Sequence, residues 1–255
     1  MKILHLSDLH FKGSTAGNRK KVETLKYVEE NYPAHHIVVT GDVVDDGGSE
    51  QYRRAERALR PFKGRISICP GNHDSGIGGN IYNRKRIERF DKYLAGPFGQ
   101  CGTFAGDNSP VVNIVESDEA KCMFIALDTN LETKTPFDFA CGKVGRKQLK
   151  ELDSILKQYA DSELVKILFF HHHPFVTKTL VNLIGLKLKD SEELMKVVSN
   201  RVDVMLFGHK HEPYIDHGKH GIQYILGADN SPGRKSAREI SISGGNISVN
   251  DVPIR

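Results

Sequence analysis

Short apolar segments alternate with charged amphipathic segments in the first third of the chain. Apolar residues dominate Lys2–Leu6, His36–Thr40 and Arg65–Cys69, which the pattern predicts as strands. Apolar positions recur every three or four residues from Val22 to Tyr32 and through Gln51–Leu59, so both segments are predicted helices. This order predicts βαβ units, whose parallel strands end along one edge of a sheet.

The rest of the chain continues with strands and at least two helices. A stripe of leucine and isoleucine predicts a helix over Arg146–Tyr159, and a shorter helix is expected over Arg84–Leu94. Gly221–Leu226 and Arg238–Val252 are expected to form an antiparallel terminal region. Four further apolar segments are predicted strands: Val111–Val115, Cys122–Leu127, Val165–Phe170 and Val202–Phe207. We expect a single α/β (mixed α+β) domain over residues 1–255.

Composition excludes several classes of protein. With 38% hydrophobic and 27% charged residues over 255 positions, the chain has the composition of a globular protein rather than a disordered one. The net charge of +4 is too small to indicate nucleic-acid binding. No apolar segment approaches the roughly 20 residues that cross a bilayer, so we expect a cytoplasmic protein without membrane contact. The four cysteines show no CxxC spacing, so the sequence does not suggest a zinc site with thiolate ligands.

Most predicted strands end in polar residues that commonly bind metals. A carboxylate and an imidazole two residues apart can share one cation, although Asp8 alone could equally cap a loop. A lone histidine is more often a structural residue, but this alternative would have to hold at five separate places. The clusters are Asp8 with His10, Asp42, Asn72 with His73 and Asp74, the histidine run His171–His173, and His209 with His211.

These motifs resemble those of the calcineurin-like metallophosphoesterase superfamily in type and order. The chain shows DxH at Asp8–His10, GDxxD at Gly41–Asp45, GNHD at Gly71–Asp74, the histidine run, and GHxH at Gly208–His211. The resemblance implies a four-layer α/β/β/α sandwich, with two mixed sheets flanked by helices and the site at the carboxyl ends of the strands. It also implies a centre of two divalent metal ions.

The resemblance also implies which residues bind the ions. The last ligand should be a histidine two positions before Pro174, which selects His172, whereas strand alternation separates His172 from His171 and His173 without choosing between them. The other implied ligands are Asp8, His10 and His211 for one ion, Asn72 and His209 for the other, and Asp42 as the bridge. Nitrogen and oxygen ligands without thiolate suit manganese, iron or zinc.

We expect a centre of this kind to hydrolyse a small phosphate ester by in-line attack of a metal-bridging hydroxide. His73 resembles the family's catalytic histidine and should protonate the leaving oxygen, with Asp74 holding its ring. Asp45 and Asp46 are expected to structure their loop rather than bind metal. The segments KILHLSDLHF, IALDTN and GRKQLKELDSIL resemble bacterial class III cyclic-nucleotide phosphodiesterases and glycerophosphodiesterases, which favours a phosphodiester substrate.

Three alternatives stay open at this point. A phosphomonoesterase would need the same centre, and a nuclease could use the basic residues of Arg84–Arg89, although these equally fit the solvated face of a helix with Ile87, Phe90 and Leu94 inward. A non-catalytic scaffold is disfavoured because every ligand position is filled.

Two regions bear on specificity. The apolar segment from Phe175 to Leu188 could be a lid, a homodimer contact or a core helix, and we expect it to border the substrate pocket. Substrate choice should also depend on residues 75–110, which contain no interpretable motif.

Overall fold

Two mixed β-sheets form the centre of the molecule. The computed structural model describes residues 1–79, 81–106, 108–130, 141–175, 188–228, 230 and 235–255. The strands are β1 Lys2–Leu6, β2 His36–Thr40, β3 Ile66–Cys69, β4 Gly76–Ile77, β5 Ile81–Tyr82, β6 Val111–Glu116, β7 Lys121–Ala126, β8 Val165–Phe169, β9 Val204–Phe207, β10 Tyr214–His217, β11 Tyr224–Gly227, β12 Ser236–Ser243 and β13 Asn246–Pro253. The α-helices are α1 Arg19–Asn31, α2 Ser49–Leu59, α3 Asn72–Ser75, α4 Arg84–Phe90, α5 Arg146–Gln158 and α6 Ser191–Val198.

Strand order brings many carboxyl ends to one edge. The first sheet has the order β13-β12-β1-β2-β3, and the second has the order β10-β11-β9-β8-β7-β6. β1, β2 and β3 are mutually parallel, and so are β7, β8, β9 and β11. Loops that follow parallel neighbours lie side by side, so the polar clusters of the sequence converge.

Alternation along the strands explains the four layers. On β7, Phe124 packs into the apolar cluster that joins the two sheets, whereas Met123 and Ile125 pack with residues of α5 and α6. Helices α1 and α2 contribute buried residues, including Val28 and Tyr52, to the cluster around the first sheet. Strands buried on both faces read as continuous apolar segments in a sequence, which is why the pattern located them. The predicted α/β/β/α sandwich with two mixed sheets is confirmed.

Several details differ from the predictions. The predicted helix over Arg84–Leu94 is α4 followed by a π-helical turn at Asp91–Ala95, where the amide of Gly96 donates to Asp91 five residues earlier. β11 pairs antiparallel with β10 but parallel with β9, so the terminal region is only partly antiparallel. Helix α6 and strand β10 were not predicted.

Several of the predictions made from the sequence stay predictions. Of the apolar segment, only the ends Phe175 and Leu188 fall within the described residues, so its role lies outside them. No helix in the described ranges is long and apolar enough to cross a membrane. The single domain, the cytoplasmic location and the homodimer contact stay predictions.

Candidate metal centre

Three neighbouring loops of the first sheet carry four of the predicted ligands. Asp8 and His10 follow β1, Asp42 follows β2, and Asn72 follows β3. The first two loops continue to pair beyond the sheet, because the amide of Asp8 donates to the carbonyl of Gly41 at 3.0 Å and the amide of His10 to that of Asp42 at 2.8 Å. The backbone therefore fixes these side chains relative to each other before any ion binds.

The loops after β8 and β9 bring the remaining ligands from the second sheet. The histidine run follows β8, and Gly208–His211 follows β9. The two loops are tied together, since the amide of Gly208 donates to the carbonyl of His171 at 3.0 Å. A contact between the sheets completes the arrangement, because the amide of His209 donates to Oδ2 of Asp8 at 3.2 Å.

Most of the predicted ligands have a left-handed backbone. Among the described residues, eight other than glycine have a positive φ, and five of them are predicted ligands. Non-glycine residues in this region usually mark turns or strained functional sites, and aspartate and histidine tolerate it better than most residues. The five are Asp8 (φ 55°), His10 (47°), Asp42 (49°), His209 (77°) and His211 (52°).

Asp8, His10 and His211 form the first group of donors. Nε2 of His211 lies 3.1 Å from Oδ1 of Asp8, and Nε2 of His10 lies 4.0 Å from the same oxygen. The two Nε2 atoms are 3.4 Å apart. These are the residues that the resemblance assigned to one cation.

Asp42, Asn72, His171 and His209 form the second group. Nε2 of His171 lies 3.2 Å from Oδ2 of Asp42, 3.0 Å from Oδ1 of Asn72 and 3.1 Å from Nδ1 of His209. The side-chain amide of Asn72 donates to the carbonyl of Gly79 at 3.0 Å, which leaves its oxygen facing the group. The structure therefore brings Asp42, Asn72 and His209 close together.

Asp42 connects the two groups through one oxygen. Its Oδ2 lies 3.8 Å from Nε2 of His10 and 3.2 Å from Nε2 of His171. Its Oδ1 accepts a hydrogen bond of 2.9 Å from the amide of His73, which fixes the orientation of the carboxylate. A carboxylate held in this way is suited to bridge two cations.

The donor set fits divalent metal ions. Ligand atoms about 2.0–2.2 Å from one ion lie roughly 3.0–3.5 Å from each other, close to the separations in both groups. Many of the facing atoms are carboxylate oxygens and imidazole nitrogens, which donate electron pairs to a cation. Nε2 of His209 is also buried without a hydrogen-bond partner among the described residues. Three overlapping sets of ligand atoms lie within 4.8 Å of one another: Asp8, His10 and His211; His10, Asp42 and His73; and Asp42, His171 and His209.

Charge explains the protonation of these groups. Burial alone would raise the pKa of Asp42, but the adjacent His171 outweighs burial and holds that pKa well below its usual range. Burial likewise opposes a charged His171, yet Asp42 and Asp8 raise its pKa to about 9. Burial holds the pKa of His209 well below its usual range. The buried carboxylates therefore favour positive charge at the centre of the second group.

His172, the predicted ligand from the histidine run, lies beside the second group. Its Nδ1 is 2.7 Å from the hydroxyl of Thr129, and its ring centroid is 4.6 Å from that of His209. His172 is not part of the three compact sets, and its role as a ligand stays a prediction. His173 packs its ring edge-on against Phe207, at a centroid distance of 4.6 Å.

His73 lies at the rim of the first group. Its ring is edge-on to that of His10 with centroids 4.7 Å apart, and its Nδ1 donates to the carbonyl of Asp45 at 2.7 Å. The expectation that Asp74 holds this ring is wrong. The carboxylate of Asp74 instead accepts the amides of Gly71, Val43 and Val44 at 2.8, 3.1 and 2.9 Å, since it is buried under the loop that follows Asp42.

Asp74 is thus a structural carboxylate of the centre. Burial and the nearby Asp42 raise its pKa to about 7.

Asp46 structures its loop as predicted, accepting the amide of Gly48 at 3.0 Å. Asp45 lies closer to the site than expected, with Oδ1 3.7 Å from Nδ1 of His10. No sequence signal indicated that its carbonyl would bind His73.

Two glycines leave room for the carboxylates of the predicted ligands Asp42 and Asp8. A Cβ at Gly71 would lie 2.2 Å from Oδ1 of Asp42, and a Cβ at Gly208 would lie 1.9 Å from Oγ of Ser7 and 2.7 Å from Oδ2 of Asp8. Contacts below about 3.0 Å are not tolerated without movement. The glycines of GNHD and GHKH are therefore required by close packing around the carboxylates.

The three arginines of α4 have internal partners. Arg84 pairs with Glu88 at 3.5 Å, Arg86 with Asp46 at 3.6 Å, and Arg89 donates to the carbonyl of Gly47 at 3.0 Å. On the opposite face, Ile87 and Phe90 are fully buried. The helix therefore has the predicted solvated and core faces.

Known proteins resemble this chain in sequence and fold. It is 24% identical over 236 residues to a 3′,5′-cyclic-nucleotide phosphodiesterase of Nostoc sp., which covers 88% of this chain and 76% of that protein. It is 25% identical over 182 residues to a probable glycerophosphodiester phosphodiesterase of Arcobacter nitrofigilis, which covers 68% of this chain and 57% of that protein. A dimetal phosphatase of Danio rerio shares the fold, with a TM-score of 0.68 over 100% of this chain and 98% of that chain at 14% identity.

A family model gives the assignment directly. The model described as calcineurin-like phosphoesterase matches residues 1–213 and so includes every predicted ligand. The convergence of the five motifs at one sheet edge agrees with that match. The chain belongs to the calcineurin-like phosphoesterase family.

Proposed function

We propose that this chain hydrolyses small phosphodiesters, such as cyclic nucleotides, with two divalent metal ions. The observation that carries the proposal is the single oxygen of Asp42 that lies between two groups of donors, 3.8 Å from His10 and 3.2 Å from His171. The proposed ligands are the predicted ones: Asp8, His10, Asp42, Asn72, His172, His209 and His211. Their nitrogen and oxygen donors suit manganese, iron or zinc.

The ions and the protein have separate tasks in this proposal. Two divalent ions held by these residues would lower the pKa of bound water and would place positive charge beside the phosphoryl oxygens. The carboxylates and imidazoles would hold those ions in place, and the loops after β8 and β9 would provide the donors from the second sheet. Asp42 is prevented from rotating by the amide of His73.

His73 supplies the proton for the leaving oxygen. A carbonyl can only accept, so the bond to Asp45 places a proton on Nδ1 of His73 and leaves Nε2 to hold and give up a second proton. The ring lies beside His10, at the rim of the first group. An alkoxide leaving group needs such a proton far more than a phenolate does.

Two observations favour a small diester over the alternatives. The sequence relatives are described as cyclic-nucleotide and glycerophosphodiester phosphodiesterases, at 24–25% identity. The partners of Arg84, Arg86 and Arg89 weaken the case for a nuclease that binds a phosphate backbone with α4. A phosphomonoesterase would use the same centre, so the substrate test must include both ester types.

The test compares two esters on metal-stripped protein resupplied with Mn²⁺, Fe²⁺ or Zn²⁺. We expect bis(p-nitrophenyl) phosphate to be hydrolysed faster than p-nitrophenyl phosphate, and Asp42→Ala to abolish both activities. Asp118→Ala, which changes an exposed aspartate in the β6–β7 turn, is the matched control and should leave the rates unchanged. Preference for the monoester would indicate a phosphatase, and inactivity on both esters with every metal would contradict the proposal.

A further inference from the structure

The loop that follows β1 is held at both ends by side-chain amides. At its start, the backbone amide of Ser7 donates to Oδ1 of Asn230 at 2.8 Å, and Nδ2 of Asn230 donates to the carbonyl of Ser7 at 2.6 Å. At its end, the amide of Lys12 donates to Oδ1 of Asn18 at 2.7 Å, and Nδ2 of Asn18 donates to the carbonyl of Lys12 at 2.7 Å. Residues of neighbouring antiparallel strands exchange the same pair of bonds.

Asn230 extends the pairing of β1 up to a proposed ligand. β1 pairs with β12 from Lys2 to His5, and Ser7 lies two residues further along the chain. Asn230 comes three residues after β11, a strand of the second sheet. Its side chain therefore ties the second sheet to the residue directly before Asp8.

Asn18 bonds to the loop although it stands at the start of a helix. It directly precedes α1, a position from which an asparagine side chain commonly accepts an amide of the first helical turn. Within the described residues its side chain forms no such cap bond, and its Oδ1 accepts the amide of Lys12 instead. Asn18 is buried, and the ammonium of Lys21, also on α1, donates to the carbonyl of His10. Helix α1 thus supports the loop at two points.

The loop of residues 7–12, which we call the DxH loop, needs such support. Asp8 and His10 have φ of 55° and 47°, in the left-handed region. A strained backbone of this kind persists only where the surrounding structure fixes it by several interactions. The loop after β2 provides some of these interactions, and the two asparagines provide others at the ends. If the DxH loop relaxed, the side chains of Asp8 and His10 would no longer face each other across the first group.

We infer that Asn18 and Asn230 are positioning residues, which hold the DxH loop in the conformation that binds an ion at the first group. This inference rests on the two-metal centre of the proposed function. Both asparagines act through the backbone of the loop rather than through an ion. Their removal should therefore weaken the ion at the first group and spare the ion at the second group.

The alternative is that the two asparagines only stabilise the fold. In that case their loss would lower Tm and leave both ion affinities of the folded protein unchanged. The test uses the full chain, stripped of metal and titrated with Mn²⁺ by calorimetry, as wild type, Asn18→Ala and Asn230→Ala. Alanine is preferred to aspartate because it adds no charge that would attract a cation. Asp8→Asn, which removes a carboxylate from the first group, identifies the binding step that belongs to that group.

The wild-type protein should bind two ions. In each alanine variant we expect the affinity of the first group to fall about 10–100-fold, the loss typical when outer partners of metal ligands are removed. The affinity of the second group should stay within about threefold of the wild-type value.

Asn31→Ala is the matched control. Nδ2 of Asn31 donates to the carbonyl of Tyr27 at 2.9 Å, so this change also removes a bond between a side-chain amide and the backbone. Asn31 is exposed and lies at the other end of α1, about 20 Å along the helix from Asn18. This variant should bind both ions with wild-type affinity.

Two results of the titration would overturn the inference. One is an affinity of the first group within about threefold of wild type in either alanine variant, and the other is equal weakening of both ions. If the variants fail to fold, hydrogen exchange of the metal-free wild-type protein decides. The amides of Ser7 and Lys12 should exchange as slowly as those of β1, and the fast exchange of an open loop would overturn the inference.

The inference and the proposed function fail in different ways. A wild-type protein that binds two ions but hydrolyses no ester would refute the proposed function and leave the role of the asparagines standing. A wild-type protein that binds fewer than two ions would refute both.

Discussion

Replacing Gly71 with alanine should inactivate the metal centre, although none of the proposed ligand residues is substituted. Gly71 has a φ of −109°, which every residue adopts, so backbone strain does not complicate the change. The added Cβ would lie 2.2 Å from Oδ1 and 2.4 Å from the amide nitrogen of Asp42. Ordinary contact begins near 3.4 Å, so the carboxylate of Asp42, the proposed bridge, would have to move by about 1.2 Å.

The magnitude follows from that displacement. Misplacing reacting groups by about 1 Å costs on the order of 100-fold in rate, or about 2.7 kcal/mol. Overpacking should also destabilise the fold by about 1–3 kcal/mol, which lowers Tm by roughly 2–4 °C per kcal/mol in a chain of this size. We therefore expect kcat/KM for bis(p-nitrophenyl) phosphate to fall at least about 100-fold in a protein that is still folded at 25 °C.

The matched control is Gly13→Ala, because a Cβ at Gly13 would meet no atom within 4 Å. Its rate and Tm should stay close to those of the wild-type protein. Calorimetric titration with Mn²⁺ separates a displaced bridge from a slow folded enzyme, since the former weakens metal binding. If Gly71→Ala retained rate and metal affinity within about threefold, the required position of the Asp42 carboxylate would be refuted.

Three further predictions test other parts of the molecule. Burial lowers the pKa of His36 to about 4, so its neutral ring has its full stabilising contribution above about pH 6.5 and loses it as pH falls. His36 should account for about 2 kcal/mol of the change in unfolding free energy between pH 7 and pH 5 in urea titrations, and His36→Gln should remove that share. His73→Gln should slow diesters with alkoxide leaving groups about 100-fold or more, but p-nitrophenyl esters far less, and equal slowing of both would contradict its role as an acid. Asp74→Asn should lose one of three amide bonds and about 1–3 kcal/mol in thermal unfolding, whereas unchanged Tm would contradict its structural role.

Much of the fold could be predicted from the sequence because strands and helices produce local patterns of apolar residues. Strands such as β2 and β8 are buried on both faces, which produces continuous apolar segments bounded by polar loops. Helix α5 was predicted from an apolar stripe in a charged segment. β10 was missed because it is an edge strand of four residues, Tyr214–His217, with its exposed and half-buried positions alternating and no apolar core segment.

The candidate site was predicted in outline but not in detail. Motif spacing placed Asp8, His10 and Asp42 at strand ends, and the structure brings them together. The contact between Asp45 and His73 uses a backbone carbonyl, which every residue possesses, so no residue type could reveal it. The position of His171 could have been found by continuing the alternation of Ile167 and Phe169, although that argument needs the end of β8 to be known.

The left-handed backbone of five site residues links the proposed ligands to the fold itself. A backbone in this region costs on the order of 1–2 kcal/mol for most residues, and aspartate and histidine are among those that adopt it most readily. The amides of Asp8 and His10 are bonded to the loop after β2, which holds both residues in that conformation. Substituting alanine at such a position therefore removes a proposed ligand and also disfavours the turn that presents it. Asparagine is the better probe of ligation at Asp8 or Asp42, because it tolerates the turn while it lacks the charge that the ions require.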